Sequence, residues 1–227
     1  MCGVVLLGAA LSGCVSSVAG TAVRGESAGP IPVDVPQLTD ADLGRVLLSV
    51  GAVNGVMDAT AMRVSASSED MSDNSDRVSD TDCLGAIYGA EDLVYHGSDW
   101  TAVRDEVLQE PSSDNEHWVE QVAVLYPSTE KAQKFVDTSK AMLKRCGGKS
   151  IDVDNDESTS TWKLDNADVS GAVLTQTSTQ RDADGWGCQH ALTTAANLVV
   201  EGWACSYQIS DEAKTIVTDM LTNAATK

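Results

Sequence analysis

Four cysteines constrain the fold of this chain more than any other feature: Cys83, Cys146, Cys188 and Cys205. There are six in 227 residues, but Cys2 falls in a leader, and Cys14, directly behind it, has another fate. Four thiols in an exported domain imply two disulfides, with three possible connectivities. Cys188 and Cys205 flank a predicted hairpin whose register places Ala196-Asn197 at the tip. Cysteines directly opposed across antiparallel strands are close enough to bridge. That leaves Cys83 for Cys146. Chain-entropy reasoning assigns roughly 4 kcal/mol to the long loop and about 3 kcal/mol to the short one, comparable with the whole stability of a domain. No C-x-x-C and no His-Cys cluster favours a metal instead.

The leader sets the compartment. Val4 to Leu11 is a short apolar run, far below the roughly 20 residues a transmembrane helix needs, and it ends in Leu11-Ser12-Gly13-Cys14. That tetrapeptide resembles the lipobox of bacterial lipoproteins, which implies lipidation of Cys14 and cleavage before it. Residues 1–13 then form a signal peptide, although they carry no charge where a basic n-region is expected. A later-than-true start or a trimmed leader accounts for that. Residues 14–37 follow as a Gly-, Ser- and Pro-rich spacer, and alternating Pro30, Pro32 and Pro36 keep it extended. Within it, Gly25-Glu26-Ser27-Ala28-Gly29 matches the G-x-S-x-G nucleophile elbow. The elbow needs a buried strand before the Ser and a helix after it, and a polar linker supplies neither.

The folded domain is expected over residues 38–227. Thr39 with Asp42 makes a capping box, and Leu43, Val46, Leu47 and Val50 recur at helical spacing. Residues 66–82 are almost wholly polar and read as a solvated loop. Val119–Leu125 is a β-branched run that reads as a strand, with Trp100–Leu108 as its neighbour. Pro127-Ser128 caps a helix over about 129–145, whose stripe of Ala132, Phe135, Val136 and Leu143 continues to Cys146. Strands follow near 161–165, 171–180, 187–195 and 198–206. A last helix begins at Ser210. Strands in the middle with helices around them predict an α+β domain with a mostly antiparallel twisted sheet.

These same residues carry a family resemblance. Two cysteines 63 positions apart, then two 17 apart enclosing CQHALTTAANLVVEGWAC, resemble the mycobacterial PknH-like extracellular sensor domain family. GSDWTAVRDEVLQEP (97–111) and HWVEQVAVLYPSTEKAQKFVDTSKAMLKRC (117–146) are similar to it as well. The resemblance covers the chain from about residue 38, and free-standing lipoproteins of the family carry the domain behind a lipobox. It implies an antiparallel sheet with helices around a cleft, disulfides pairing first with second and third with fourth, and ligand binding outside the membrane. It carries no kinase activity, since no kinase catalytic loop or Gly-rich phosphate loop stands in the chain.

Candidate chemistry is sparse. Asp152-Val-Asp154-Asn-Asp156-Glu157 imitates the start of a calcium loop, but Glu157 and Lys163 occupy the positions that need Gly and Glu. A solvated acidic turn is the simpler reading, and no metal or cofactor is assigned. His96, His117 and His190 have no second ligand at helical spacing, and no motif supports Ser-His-Asp catalysis. The expected cleft has five candidates: Trp100, Arg104, Glu120, Gln121 and Trp186. By two-residue alternation Trp100, Arg104 and Glu106 share one face. Glu120 lies on the face of Trp118 and Val122, with Gln121 on the other. Arg104 with Glu120 either lines the cleft or forms a structural salt bridge. Trp186 either stacks on a sugar or lipid or packs in the core.

Thirty-four acids against 15 bases, a net charge of −19, exclude nucleic acid as a partner. Together these readings predict a non-enzymatic, lipid-anchored protein on the extracytoplasmic face of the membrane. Its domain would bind a small molecule or a cell-wall or lipid component, in a role that helps a membrane kinase sense it. An envelope hydrolase is one alternative; an adaptor lipoprotein that binds another envelope protein is a second. The acids then serve solubility and standoff from the bilayer.

Overall fold

The computed structural model describes residues 34–111, 116–156 and 158–226. The lipobox, Cys14 and the Gly-x-Ser-x-Gly stretch lie outside them. Nine strands form a single antiparallel sheet: β1 (Arg63–Ser68), β2 (Ala102–Gln109), β3 (His117–Leu125), β4 (Ser150–Asp154), β5 (Thr159–Leu164), β6 (Asp168–Ser170), β7 (Val173–Gln180), β8 (Gly187–Ala195) and β9 (Leu198–Ser206). Their order is β1-β2-β3-β9-β8-β7-β5-β4, with β6 paired to β7 off this path. The helices are α1 (Leu43–Val46), α2 (Val50–Met57), α3 (Asp92–Tyr95), α4 (Thr129–Cys146) and α5 (Glu212–Ala225), with a 3₁₀ turn over Thr81–Ala86. This is the α+β architecture expected.

The sheet is covered on both faces, which explains why its central strands read as nearly unbroken apolar runs. On β3, Val119, Ala123 and Leu125 face one core with α1, α2 and α5, while Val122 and Val124 face a second with α4. Helix α5 supplies Ala213, Ile216, Val217, Met220 and Leu221, all fully buried. It lies so close to β9 that a Cβ on Gly202 would sit 3.2 Å from Val217. Helix α4 buries the stripe read from sequence, Ala132 through Cys146. Ser128 Oγ accepts from the Lys131 N–H and caps it.

Both disulfides form as paired from the sequence. Cys83–Cys146 ties the 3₁₀ turn to the end of α4 over 63 residues. Cys188 and Cys205 are register partners across the β8–β9 hairpin, with Cα atoms 4.0 Å apart.

Four local expectations are corrected. The first helical run is not continuous: α1 ends at Val46, and Leu47 is extended at φ −62°, ψ 146°. Ser49 then caps a new helix, leaving Val50 37% exposed. The break is held from a distance, because Gln121 Oε1 accepts from the Leu48 N–H at 2.8 Å and Gln121 Nε2 donates to the Leu48 carbonyl at 3.0 Å. The polar stretch 66–82 is not all loop, since its first residues complete β1, an edge strand with five of six residues exposed. Its Ser and Ala side chains give no apolar period, so the backbone ladder alone defines it. Trp100 precedes β2 rather than opening it, and packs against the α4-side core. Finally, Asp152 and Asp154 lie on β4, and Asp156 sits in the turn beyond it, paired with Arg77 at 3.1 Å. Among the described residues no three His, Cys, Asp or Glu side chains are placed to hold a metal ion.

Candidate functional site

The α4-side face of the sheet carries a cleft of about 380 Å³ near one end of the strands. Alternation brings its walls together. Trp203 and Cys205 share a face of β9; the register sets them beside Trp118 of β3 on one side and Cys188 of β8 on the other. Trp162 of β5 faces Gln180 of β7. Trp186 closes the β7–β8 turn, and Tyr88, from the loop after the 3₁₀ turn, covers the opposite wall. Four of the chain's five tryptophans thus line one cleft. Trp203 is 2% exposed and forms the floor, while the other three are partly open.

Polar groups are few and uncharged. Ser160 Oγ accepts from Asn155 Nδ2 at 3.2 Å and from the Trp162 indole N–H at 3.1 Å. The side chains of Ser178 and Gln180 make no hydrogen bond to the described residues. None of the thirteen lining residues is charged, whereas 22% of the chain is, so about three charges would be expected. At its rim, Asp156 follows Asn155 of the lining and pairs with Arg77, and Asp184 lines an adjoining depression.

Next to the floor lies a buried acid cluster. Trp203 stands opposite Glu120 in the ladder and stacks flat on His190, ring centroids 3.8 Å apart. His190 Nε2 lies 3.2 Å from Glu201 Oε2, and Glu201 also accepts from the Tyr95 hydroxyl. Asp105 and Glu120 lie close together on the same face of β2 and β3, and Asp105 Oδ1 is buried without a hydrogen-bond partner among the described residues. Burial drives the Asp105 carboxyl up to about 6 and holds that of Glu120 well above the usual range, with the neighbouring carboxylates adding to both. Burial likewise raises the Tyr95 hydroxyl, seconded by Glu201. Gly89 lets the covering loop descend here, since a Cβ would fall 2.7 Å from Trp203 and 2.8 Å from Glu120.

The five residues picked from sequence scatter. Trp186 lines the cleft, packed edge-on to Tyr207 with centroids 5.1 Å apart. Glu120 is buried in the acid cluster. Gln121 lies on the opposite face as the clamp on Leu48. Arg104 is on that opposite face too, so the Arg104–Glu120 pair does not exist; Arg104 binds Asp40 at 3.0 Å and Glu69 at 3.2 Å. The ladder explains this, because Arg104 pairs with Ala123 and Glu106 with Gln121. Trp100 sits in the α4-side core. Reasoning from sequence missed Tyr88, Trp118, Trp162 and Trp203. One signal was available: Trp203 precedes Cys205 by two residues, so it shares the disulfide's face.

Fold and site together define a disulfide-bonded antiparallel domain of extracellular type with an aromatic cleft. Residues 38–223 match the PknH-like extracellular domain family. The chain belongs to that family. It is 38% identical over 175 residues to the serine/threonine-protein kinase PknH of Mycobacterium bovis, covering 76% of this chain and 29% of that one. The same kinase of Mycobacterium tuberculosis matches at 38%, with 76% and 28% covered. The chain therefore spans less than a third of the length of these relatives. The crystal structure of the extracellular domain of PknH from Mycobacterium tuberculosis superposes with a TM-score of 0.79 at 36% identity, covering 84% of this chain and 98% of that one.

Proposed function

We propose that this chain is a lipid-anchored envelope protein whose PknH-like domain binds a small molecule or cell-wall component in the tryptophan cleft. Its role is sensor-like, presenting or withholding that ligand outside the membrane where a receptor kinase reads it. The observation that carries this reading is the convergence of four tryptophans on an uncharged cleft in an acidic chain. A concave, mostly apolar pocket with a few polar groups is what small-molecule sites share. The family's extracellular character and both disulfides support placement outside the cytoplasm. The hydrolase reading needs a nucleophile paired with a base. In the cleft Ser160 is engaged by Asn155 and Trp162 instead, and His190 faces Glu201 behind Trp203.

Two experiments test this. Cys14→Ala should move the protein from the membrane fraction to the soluble fraction, and unchanged retention would refute the anchor. Hydrogen exchange of the purified domain, with and without an extract of the envelope, should show slowing confined to segments 86–89, 153–162 and 178–188. Slowing elsewhere, or none, would refute the site.

A further inference from the structure

We infer that the cleft takes an uncharged oligosaccharide, with one sugar ring in the cleft and the next beyond Trp186; this rests on the cleft being the ligand site. Three observations converge. First, the walls are aromatic rather than aliphatic. Trp118, Trp162, Trp186, Trp203 and Tyr88 line the cleft, while only Ile87 and Val153 offer the branched alkyl surface that an acyl chain would fill. Indole faces are large, rigid and amphipathic, and the C–H face of a pyranose ring packs on them while its hydroxyls stay free to hydrogen-bond.

Second, the polar groups available are amides and hydroxyls. Gln180 offers a donor and an acceptor on one side chain, Ser178 a hydroxyl that both donates and accepts, and neither is engaged by the described residues. Such groups suit neutral hydroxyls. A carboxylate, phosphate or ammonium entering the cleft would lose water without meeting an opposite charge there, which is costly. An anion would meet the further opposition of Asp184 and of a chain at −19.

Third, the cleft does not end at Trp186. A second depression of about 320 Å³ adjoins it, lined by Gln180, Ala183, Asp184, Trp186 and Tyr207. Trp186 and Gln180 belong to both, so Trp186 is the partition between them. Tyr207, 52% exposed, extends the aromatic surface outward from Trp186. A single small molecule needs only one chamber. An aromatic cleft and an open, more polar depression that share one indole and one amide fit consecutive units of a chain.

The test is binding of the domain to an array of saccharides: neutral, amino, carboxylated and phosphorylated. Binding is expected among the neutral oligosaccharides, with single neutral sugars weaker. Trp186→Ala should weaken it by about tenfold, the scale of one lost stacking contact, while the far-UV spectrum and cooperative unfolding are retained. The same neutral oligosaccharide free and on a dodecyl chain separates the two sources. Equal binding identifies a free or wall glycan, and a strong preference for the dodecyl glycoside identifies a glycolipid headgroup. Preference for anionic or amino sugars, binding of decyl alcohol as tight as that of any saccharide, or no saccharide bound at all would overturn the inference. If saccharides fail while envelope extract still slows exchange in the cleft segments, the ligand class is wrong and the site stands. If neither acts, the site falls as well.

Discussion

Replacing Cys83 and Cys146 together by Ala should lower the stability of the domain by about 4 kcal/mol in denaturant unfolding, with the native spectrum retained at low denaturant. The bridge closes a 63-residue loop, and cross-linking that span removes about this much entropy from the unfolded chain. The loop includes α3, β2, β3 and α4, and β3 finds its second partner, β9, far outside it in sequence. Both half-cystines are fully buried in the α4-side core, so reduction also leaves two thiols in a packed site. The 17-residue loop closed by Cys188–Cys205 gives a smaller expected loss, about 3 kcal/mol. Equal midpoints for parent and double variant would show that the covering layer is held by packing alone.

The second large effect concerns pH. Asp105→Asn should stabilise the domain at pH 8 by about 1–3 kcal/mol, and leave it unchanged or slightly weaker near pH 4.5. The native Asp105 carboxyl titrates at about 6 because burial, and then the Glu201 charge, oppose ionisation. The unfolded chain releases that proton near 4. Between those values the folded form binds more protons than the unfolded form, so its contribution is complete below about pH 4 and is lost as pH rises through about 6. A shift of that size corresponds to at most about 3 kcal/mol. Glu120, raised by burial and by Asp105, works in the same direction. Surface acids such as Asp80 and Asp99, lowered by Lys149 and Lys131, act in the opposite sense and lose their contribution as pH falls. They are common to parent and variant, so the difference between the two isolates the cluster. Urea midpoints at the two pH values are the readout, and parallel pH profiles would rule out a raised Asp105 carboxyl in the folded domain.

Much of this structure was legible in the sequence, for physical reasons that can be named. Helices α4 and α5 showed because each pairs a polar start signal with a long apolar stripe, and both stripes are buried. Strands β3, β7, β8 and β9 showed as β-branched runs, and the cysteine pair fixed the register of one hairpin. Strands β1, β4 and β6 did not show. Strands β1 and β6 carry mostly small or polar side chains, so the backbone ladder defines them, while β4 buries Ile151 and Val153 between acids whose charge read as a turn. The break after α1 was hidden because Gln121, 73 residues away, holds Leu48. Alternation assigned Arg104 and Glu120 each to a face of its own strand. Only the β2–β3 register shows that those faces are opposite. The cleft was the least legible feature, since its tryptophans come from three strands and a turn and meet only when the sheet is ordered as β3-β9-β8-β7-β5. Trp186 was visible alone because it stands between glycines beside a cysteine.

The most direct measurement is native mass spectrometry of the full chain purified from its own envelope, beside a Trp162→Ala/Trp186→Ala variant prepared in the same way. An added neutral mass on the parent, absent from the variant, is the expected result. A bare polypeptide mass in both, or the same adduct retained by the variant, would contradict a ligand held in the tryptophan cleft.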